Sequence, residues 1–163
     1  MKLWIIYKEE IGFLKIIAER LQDRLEDYID VSVGTAKKID PSLLLEEKLD
    51  YLIIGDFISE TIPSLEIQNW VVKYIEISKI NNLSLKALSG FYITLTDIKN
   101  NNLWVEFLQD NVNAEIIYPP ILRLKLNRAE LAFENGVHEI VKVYSNEFIE
   151  FIINNKKNNK RSL

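Results

Sequence analysis

The chain has 163 residues, a formal net charge of −4 and no cysteine. One domain with a single core is the natural expectation for this length. The absence of cysteine excludes disulfides, thiol nucleophiles and cysteine metal sites, and it predicts a cytoplasmic protein. The apolar runs are only a few residues long, so no membrane-spanning helix is predicted.

Short runs of apolar residues, or of apolar residues alternating with polar ones, predict the first four strands of a sheet. These runs are residues 2–7, 29–34, 51–55 and 86–96. The runs 2–7 and 51–55 are continuously apolar, which is typical of strands that are covered on both faces. A further extended segment, residues 114–126, contains Pro119 and Pro120. Because proline cannot donate a ladder hydrogen bond, these two residues divide the segment or place it at an edge.

Amphipathic segments between the strands predict the helices. The expected helices run from about Gly12 to Asp27, from Pro41 for a short stretch, and over about 64–78, 103–111 and 138–153. Helical spacing of apolar side chains predicts their buried stripes; the stripes are Leu14, Ile17, Ala18, Leu21 and Leu25, then Ile67, Trp70, Val71 and Tyr74, then Val141, Tyr144, Phe148 and Ile152. Residues 127–137 are predicted to be irregular.

Strands that alternate with helices predict an α/β protein with a doubly wound parallel sheet. Ligands of such sheets bind at the carboxyl ends of the strands, where the strand order reverses. The loops in which to look for a site are therefore residues 8–13, 56–63 and 96–103.

Two quoted segments and the closing strand and helix resemble the flavodoxin family over nearly the whole chain. The segment "YKEEIGFLKIIA" is similar to the family's first loop and helix, and "LDYLIIGDFISETIPSLEIQNWV" to its third strand and following loop. The resemblance implies five mainly parallel strands in the order 2-1-3-4-5, with helices on both faces, in a single domain of residues 1–153. It also implies an FMN site, whose positions in this sequence are Glu9, Glu10, Gly12, Phe13, Gly55, Asp56, Phe57 and Trp104.

The first loop departs from the family's phosphate-binding pattern. Gly12 matches the family's glycine, but Glu9, Ile11, Phe13 and Leu14 stand where the family has hydroxyl and amide side chains. Each lost charge-assisted hydrogen bond costs roughly 1.5–3 kcal/mol. Two carboxylates near a phosphate add repulsion, whereas in the first turn of a helix they are stabilising. We therefore predict that no cofactor is bound tightly, with FMN as the alternative.

A second alternative is a receiver-like carboxylate pocket. Receiver domains have the same sheet order, with an acid pair after the first strand and a phosphoacceptor aspartate after the third. Glu9, Glu10 and Asp56 would together offer Mg²⁺ oxygen ligands, and Thr94 or Thr96 would close the fourth strand. The spacing after Asp56 does not resemble that of a receiver.

Three aromatic residues fall at or near the ligand-side loops. Phe13, Phe57 and Trp104 would flank the flavin ring of a flavodoxin; without a ring they would fill the vacated crevice or meet a partner. The single histidine, His138, cannot build a usual zinc site and makes no triad with Ser145 in the absence of an acid, so a structural or surface role is expected.

These observations predict a flavodoxin-like module that acts by contact with a protein partner or with a second copy of itself. The alternative from a different class is an FMN-dependent electron carrier or oxidoreductase. Without the four cations of residues 154–163, "NNKKNNKRSL", the body carries about −8, which disfavours nucleic acid as a partner. This basic tail is expected to be a solvated, disordered terminus.

Overall fold

The computed structural model describes residues 1–8, 12–59, 62–96, 102–117 and 121–161. The strands are β1 (Lys2–Tyr7), β2 (Asp30–Thr35), β3 (Tyr51–Ile58), β4 (Leu85–Thr94), β5 (Ala114–Ile117), β6 (Leu122–Asn127) and β7 (Ala132–Phe133). The helices are α1 (Gly12–Leu25), α2 (Pro41–Glu46), α3 (Leu65–Ile80), α4 (Asn102–Asn111) and α5 (Val137–Arg161).

One sheet runs through the molecule in the order β2-β1-β3-β4-β6-β7, with β5 also paired to β4. Every pairing is parallel except that of β6 with β7. The predicted α/β fold class and the order 2-1-3-4-5 are therefore confirmed, with β5 and β6 sharing the fifth position. The strand count differs from five because the segment 114–126 is interrupted and β7 is added.

The interruption lies where the sequence places its two prolines. Strand β5 pairs with the beginning of β4 and β6 with its end, so one extended segment supplies two short strands to the same neighbour. Pro119 and Pro120 themselves lie outside the described residues. The division of the segment agrees with the expectation drawn from their missing N–H groups.

Two apolar layers cover the two faces of the sheet, since successive side chains of a strand point to opposite faces. Helices α1 and α5 pack on one face, over residues such as Ile5, Ile53 and Phe91. Helices α3 and α4 pack on the other, over residues such as Ile6 and Ile54. All the residues of the three predicted stripes are buried, so the predicted helix faces are confirmed.

Several element boundaries differ from the predicted ones. Strand β3 continues to Ile58 rather than ending at residue 55, because the carboxylate of Asp56 is hydrogen-bonded inside the protein and can be buried. Residues 132–133, predicted to be irregular, pair with β6. Helix α5 continues to Arg161, past the expected end at residue 153. The division into a domain of residues 1–153 and a disordered tail stays a prediction.

Candidate functional site

The carboxyl ends of β1, β3 and β4 lie side by side and form the edge at which a ligand of this fold class would bind. After β1 the chain stays attached to β3, because the backbone N–H of Lys8 donates to the carbonyl of Gly55 at 3.1 Å. The side chain of Lys8 is half-buried at this edge. Glu9, Glu10 and Ile11 lie outside the described residues, so their predicted roles stay predictions.

Helix α1 begins at Gly12, where the spacing of apolar residues predicts its start. A Cβ atom added to Gly12 would meet no atom of the described residues within 4 Å. The next two side chains pack against other parts of the chain. Leu14 is fully buried in the layer under α1 and α5, and Phe13 packs edge-on against Phe133 of β7, with ring centroids 5.2 Å apart.

The carboxylate of Asp56 is committed to the loop that follows β3. Its side chain is fully buried and accepts three hydrogen bonds: from the N–H of Phe57 at 2.8 Å, the N–H of Ser64 at 2.6 Å and the hydroxyl of Ser64 at 2.8 Å. Ser64 is the N-cap residue of α3. Asp56 therefore fixes the start of α3 against the end of β3.

Burial raises the pKa of the Asp56 carboxyl group, against the opposing effects of the hydrogen bonds from Ser64 and Phe57 and of the charge on Lys8. Both carboxylate oxygens already accept hydrogen bonds from Phe57 or Ser64, so this carboxylate is engaged in holding the start of α3. Among the described residues no three acidic or histidine side chains lie close enough to hold a metal ion. The predicted Mg²⁺ pocket also needs Glu9 and Glu10, and it stays a prediction.

Gly55 and Phe57 point to the α1 and α5 face of the sheet. A Cβ atom at Gly55 would lie 2.2 Å from the Phe91 ring, so the absence of a side chain at Gly55 makes room for core packing. Phe57 is half-buried and packs against the same core.

A cavity of about 400 Å³ lies between the end of β1 and the start of α3. Its lining includes the cation of Lys8, the ring of Phe57, the hydroxyl of Ser59 and the apolar side chains of Ile62 and Leu65. Ile62 and Leu65 are 48% and 71% exposed. The cavity combines one positive charge with an apolar and solvent-accessible wall.

Trp104 lies on the opposite face from Phe13 and Phe57. It is 1% exposed and packs in the layer under α3 and α4, beside Tyr92, with ring centroids 5.9 Å apart. A Cβ atom at Gly90 would lie 2.3 Å from the indole ring, so this ring fills the space above a glycine of β4. The structure does not bring the three predicted aromatic residues together on one surface.

The hydroxyl groups of Thr94 and Ser145 bond to nearby backbone groups, and His138 lies on the surface. The hydroxyl of Thr94 donates to the carbonyl of Thr96 at 3.0 Å and accepts from its N–H at 3.1 Å, which closes a turn. His138 is exposed, as expected for a surface residue, whereas the buried hydroxyl of Ser145 donates to the carbonyl of Val141 at 2.7 Å. His138 and Ser145 therefore do not form a catalytic pair.

Sequence reasoning assigned no structural role to Asp56, which the structure shows as an anchor for α3. The available signal was an aspartate inside an otherwise apolar run, eight residues before a serine at a predicted helix start. A buried carboxylate needs hydrogen-bond donors, and the nearest candidates were that serine and the helix's first N–H groups.

No protein-family model matches the chain, and no curated protein matches it. None of the helices in the described ranges is long and apolar enough to cross a membrane. Solved structures do match over nearly the full length. A flavodoxin from the domain Archaea is 17% identical, with a TM-score of 0.72 over 93% of this chain and 99% of its own.

Two further matches are similar in extent. Oxidised flavodoxin 2 from Bacillus cereus is 19% identical, with a TM-score of 0.67 over 92% of this chain and 99% of its own. A flavodoxin, WrbA-like protein from Agrobacterium tumefaciens is 12% identical, with a TM-score of 0.65 over 94% of this chain and 98% of its own. Identities this low establish the fold alone. The flavodoxin resemblance predicted from the sequence is thus confirmed at the level of architecture: the chain has a flavodoxin-like fold.

Proposed function

We propose that this chain is a flavodoxin-like domain that does not hold FMN tightly and that acts by contact with a protein partner at the carboxyl edge of its sheet. The proposal that FMN is not held tightly is supported by the positions of the first side chains of α1. The proposal of a protein partner is supported by the exposed apolar wall of the cavity beside Lys8.

The first turn of α1 offers hydrocarbon rather than hydroxyl groups. In the family's pattern the positions of Phe13 and Leu14 carry amide and hydroxyl side chains that face the phosphate. Here Leu14 is buried in the core and Phe13 contacts Phe133. The backbone N–H groups of the helix start still favour an anion, but Phe13 and Leu14 supply none of the side-chain bonds that would make the site selective for a phosphate.

Two of the polar groups near this edge are already engaged. The carboxylate of Asp56 binds the hydroxyl of Ser64, and the amide of Gln68 donates to the carbonyl of Pro63 at 2.6 Å. Lys8 is the cation in the cavity lining, and it is followed in the sequence by two glutamates. Phe13 and Leu14 offer no side-chain donor, so the described part of the first loop does not fit the phosphate of FMN, although Lys8 and Ser59 line the neighbouring cavity.

The apolar wall of the cavity favours a protein ligand. Leu65 stands in the first turn of α3 and is the more exposed of the two aliphatic side chains, with Ile62 beside it in the lining. Contiguous exposed apolar surface marks interaction sites, and Ile62 and Leu65 both line this cavity. This surface, made of Lys8, Phe57, Ile62 and Leu65, is called the strand-end surface below.

A flavin-binding function is the second candidate. It is favoured by the cavity itself, because about 400 Å³ bounded by Phe57 and Lys8 could receive part of an aromatic ring system. Under this alternative the backbone of the first loop would have to hold the phosphate without side-chain hydroxyl groups.

The loop variant Glu9→Ser with Ile11→Thr tests the cofactor half of the proposal. Leu14 is left unchanged because it is buried in the core. We expect the variant to bind FMN at least about tenfold more tightly than the parent, since two repaired positions add hydrogen bonds and remove one negative charge. The measurement is quenching of FMN fluorescence.

The control, Glu19→Ser with Ile16→Thr, makes the same changes on exposed positions of α1 and should leave FMN binding unchanged. Equal affinities of variant and parent would contradict the account of the loop.

The variant Leu65→Asp tests the partner half. Its matched control is Val72→Asp, which places the same charge on another exposed position of α3. We expect a partner that is crosslinked by the natural chain in its native extract to be lost with Leu65→Asp and retained with Val72→Asp, because a charge in an apolar contact is desolvated on binding. A crosslinked partner that tolerates Leu65→Asp, or contacts that map elsewhere, would contradict the assigned surface.

A further inference from the structure

Strand β2 forms one edge of the sheet, and β1 is its neighbour in the described part of the chain. Proteins usually protect an edge strand by making it very short or by placing lysine or proline in it. Strands β5 and β7, at the other side of the sheet, have four and two residues, whereas β2 has six and reads "DVSVGT". Strand β2 therefore has little of the usual protection.

The hydrogen-bonding pattern shows which backbone groups of β2 face outward. The N–H of Ala36 donates to the carbonyl of Tyr7 in β1 at 2.8 Å. Because successive residues of a strand point their backbone groups in alternate directions, Val31, Val33 and Thr35 turn theirs away from β1.

The outward backbone carbonyls of two of these residues already accept hydrogen bonds, whereas the third residue has no such bond in the described part of the chain. The carbonyl of Val31 accepts from the amide of Gln22 at a long 3.4 Å, and the carbonyl of Thr35 accepts from the N–H groups that begin the next turn. The outward N–H and C=O of Val33 have no partner within the described ranges. The middle of β2 is thus the open position of this edge.

The two ends of β2 carry opposite charges. Glu26, Asp27 and Asp30 are exposed at or before its first residue, and Lys37 and Lys38 are exposed just after its last. Asp30 also pairs with Lys2 of β1 at 3.7 Å, so Glu26 and Asp27 carry the excess negative charge of that end. If two copies pair antiparallel across a two-fold axis near Val33, the acidic end of each strand meets the lysine end of the other. A parallel pairing would place like charges together. The charge distribution is therefore complementary to itself in one orientation only.

We propose that the β2 edge is a self-association surface at which a second copy of this chain pairs antiparallel, centred on Val33. The resulting dimer joins the two sheets through the N–H and C=O groups of the two Val33 residues, with Glu26, Asp27 and Asp30 of one copy facing Lys37 and Lys38 of the other. This surface lies on the opposite side of β1 from β3, and the proposal does not depend on the function proposed for the strand-end surface.

Sedimentation equilibrium of the full chain at low salt tests the pairing. We expect a monomer–dimer equilibrium in which Val33→Lys raises the dissociation constant at least about tenfold, because a lysine blocks edge pairing while its stem can still cover the half-buried position. The control Val72→Lys, an exposed valine of α3, should not change the constant. A monomer at every concentration, or a dimer that tolerates Val33→Lys, would overturn the proposal.

Charge reversal supplies a second test that does not rely on the fold of the Val33 variant. Reversing the acidic end (Glu26→Lys with Asp27→Lys) or the basic end (Lys37→Glu with Lys38→Glu) should each weaken the dimer several-fold, and salt should reduce the difference. Combining all four changes restores opposite charges and should recover most of the lost affinity. A combined variant that is no better than either half would contradict the antiparallel arrangement.

Discussion

Replacing Trp104 with alanine is expected to lower the free energy of unfolding by about 3–5 kcal/mol, the range typical of large core residues. The indole ring is 1% exposed and fills the space above Gly90. Replacement by phenylalanine should cost less than half as much, because the indole N–H has no hydrogen-bond partner in the described part of the chain and none is lost. Urea unfolding of the purified variants measures both values.

The neighbouring Leu103→Ala is the control, since Leu103 is 36% exposed on the same helix, and it should change stability by less than about 1 kcal/mol. A double-mutant cycle with Gly90→Ala adds a direct check. A Cβ at Gly90 conflicts with the indole ring. Gly90→Ala should therefore lower the free energy of unfolding by less in the Trp104→Ala background than in the natural chain. If Trp104→Ala left stability unchanged and altered only ligand or partner binding, the assignment of Trp104 to the core would be wrong.

Replacing Asp56 with alanine is expected to cost about 2–5 kcal/mol. The change leaves three partly buried donors without an acceptor, and a fully buried group of this kind costs about 1–3 kcal/mol. The N–H and hydroxyl of Ser64 and the N–H of Phe57 are these donors. Asp23→Ala, on the exposed face of α1, is the control and should be nearly neutral. A small effect of Asp56→Ala would mean that the start of α3 does not depend on this cap.

The contribution of Asp56 to folding stability is expected to decrease as the pH rises. Burial raises the pKa of Asp56 above its ordinary value of 3.8, so the folded chain holds this proton more tightly than the unfolded chain does. The contribution of Asp56 to stability is therefore greatest at acid pH and falls as the pH rises through the folded pKa. We expect the stability difference between the natural chain and Asp56→Asn to shrink over that window. A difference that grew with pH would contradict the raised pKa.

The architecture could be predicted because its signals are local. Continuous apolar runs mark strands that are buried on both faces, and the spacing of residues such as Leu14, Ile17 and Leu21 fixes which side of α1 packs. The two prolines predicted the interruption between β5 and β6. The short pairing of β7 with β6 could not be predicted in this way, since a two-residue strand has no measurable periodicity.

The candidate site was harder to predict because it depends on which side of a loop or helix a residue takes. Phe13, Phe57 and Trp104 were grouped by their positions along the chain, but Phe57 and Trp104 lie on opposite faces of the sheet. The spacing of Trp104 and Leu108 in α4 carried the missing signal, because residues four apart share one helix face. Leu65 and Ile62 were overlooked because isolated exposed aliphatic residues give no pattern in a sequence.

The most direct test of the account is the affinity of the natural chain for FMN, measured beside riboflavin by fluorescence quenching at moderate salt. We expect a colourless purified protein that binds FMN no tighter than roughly micromolar, about −8 kcal/mol. Riboflavin, which lacks the phosphate, should bind at least as well as FMN. A yellow protein, or nanomolar affinity for FMN with a clear preference over riboflavin, would contradict the account and would establish a working flavin site.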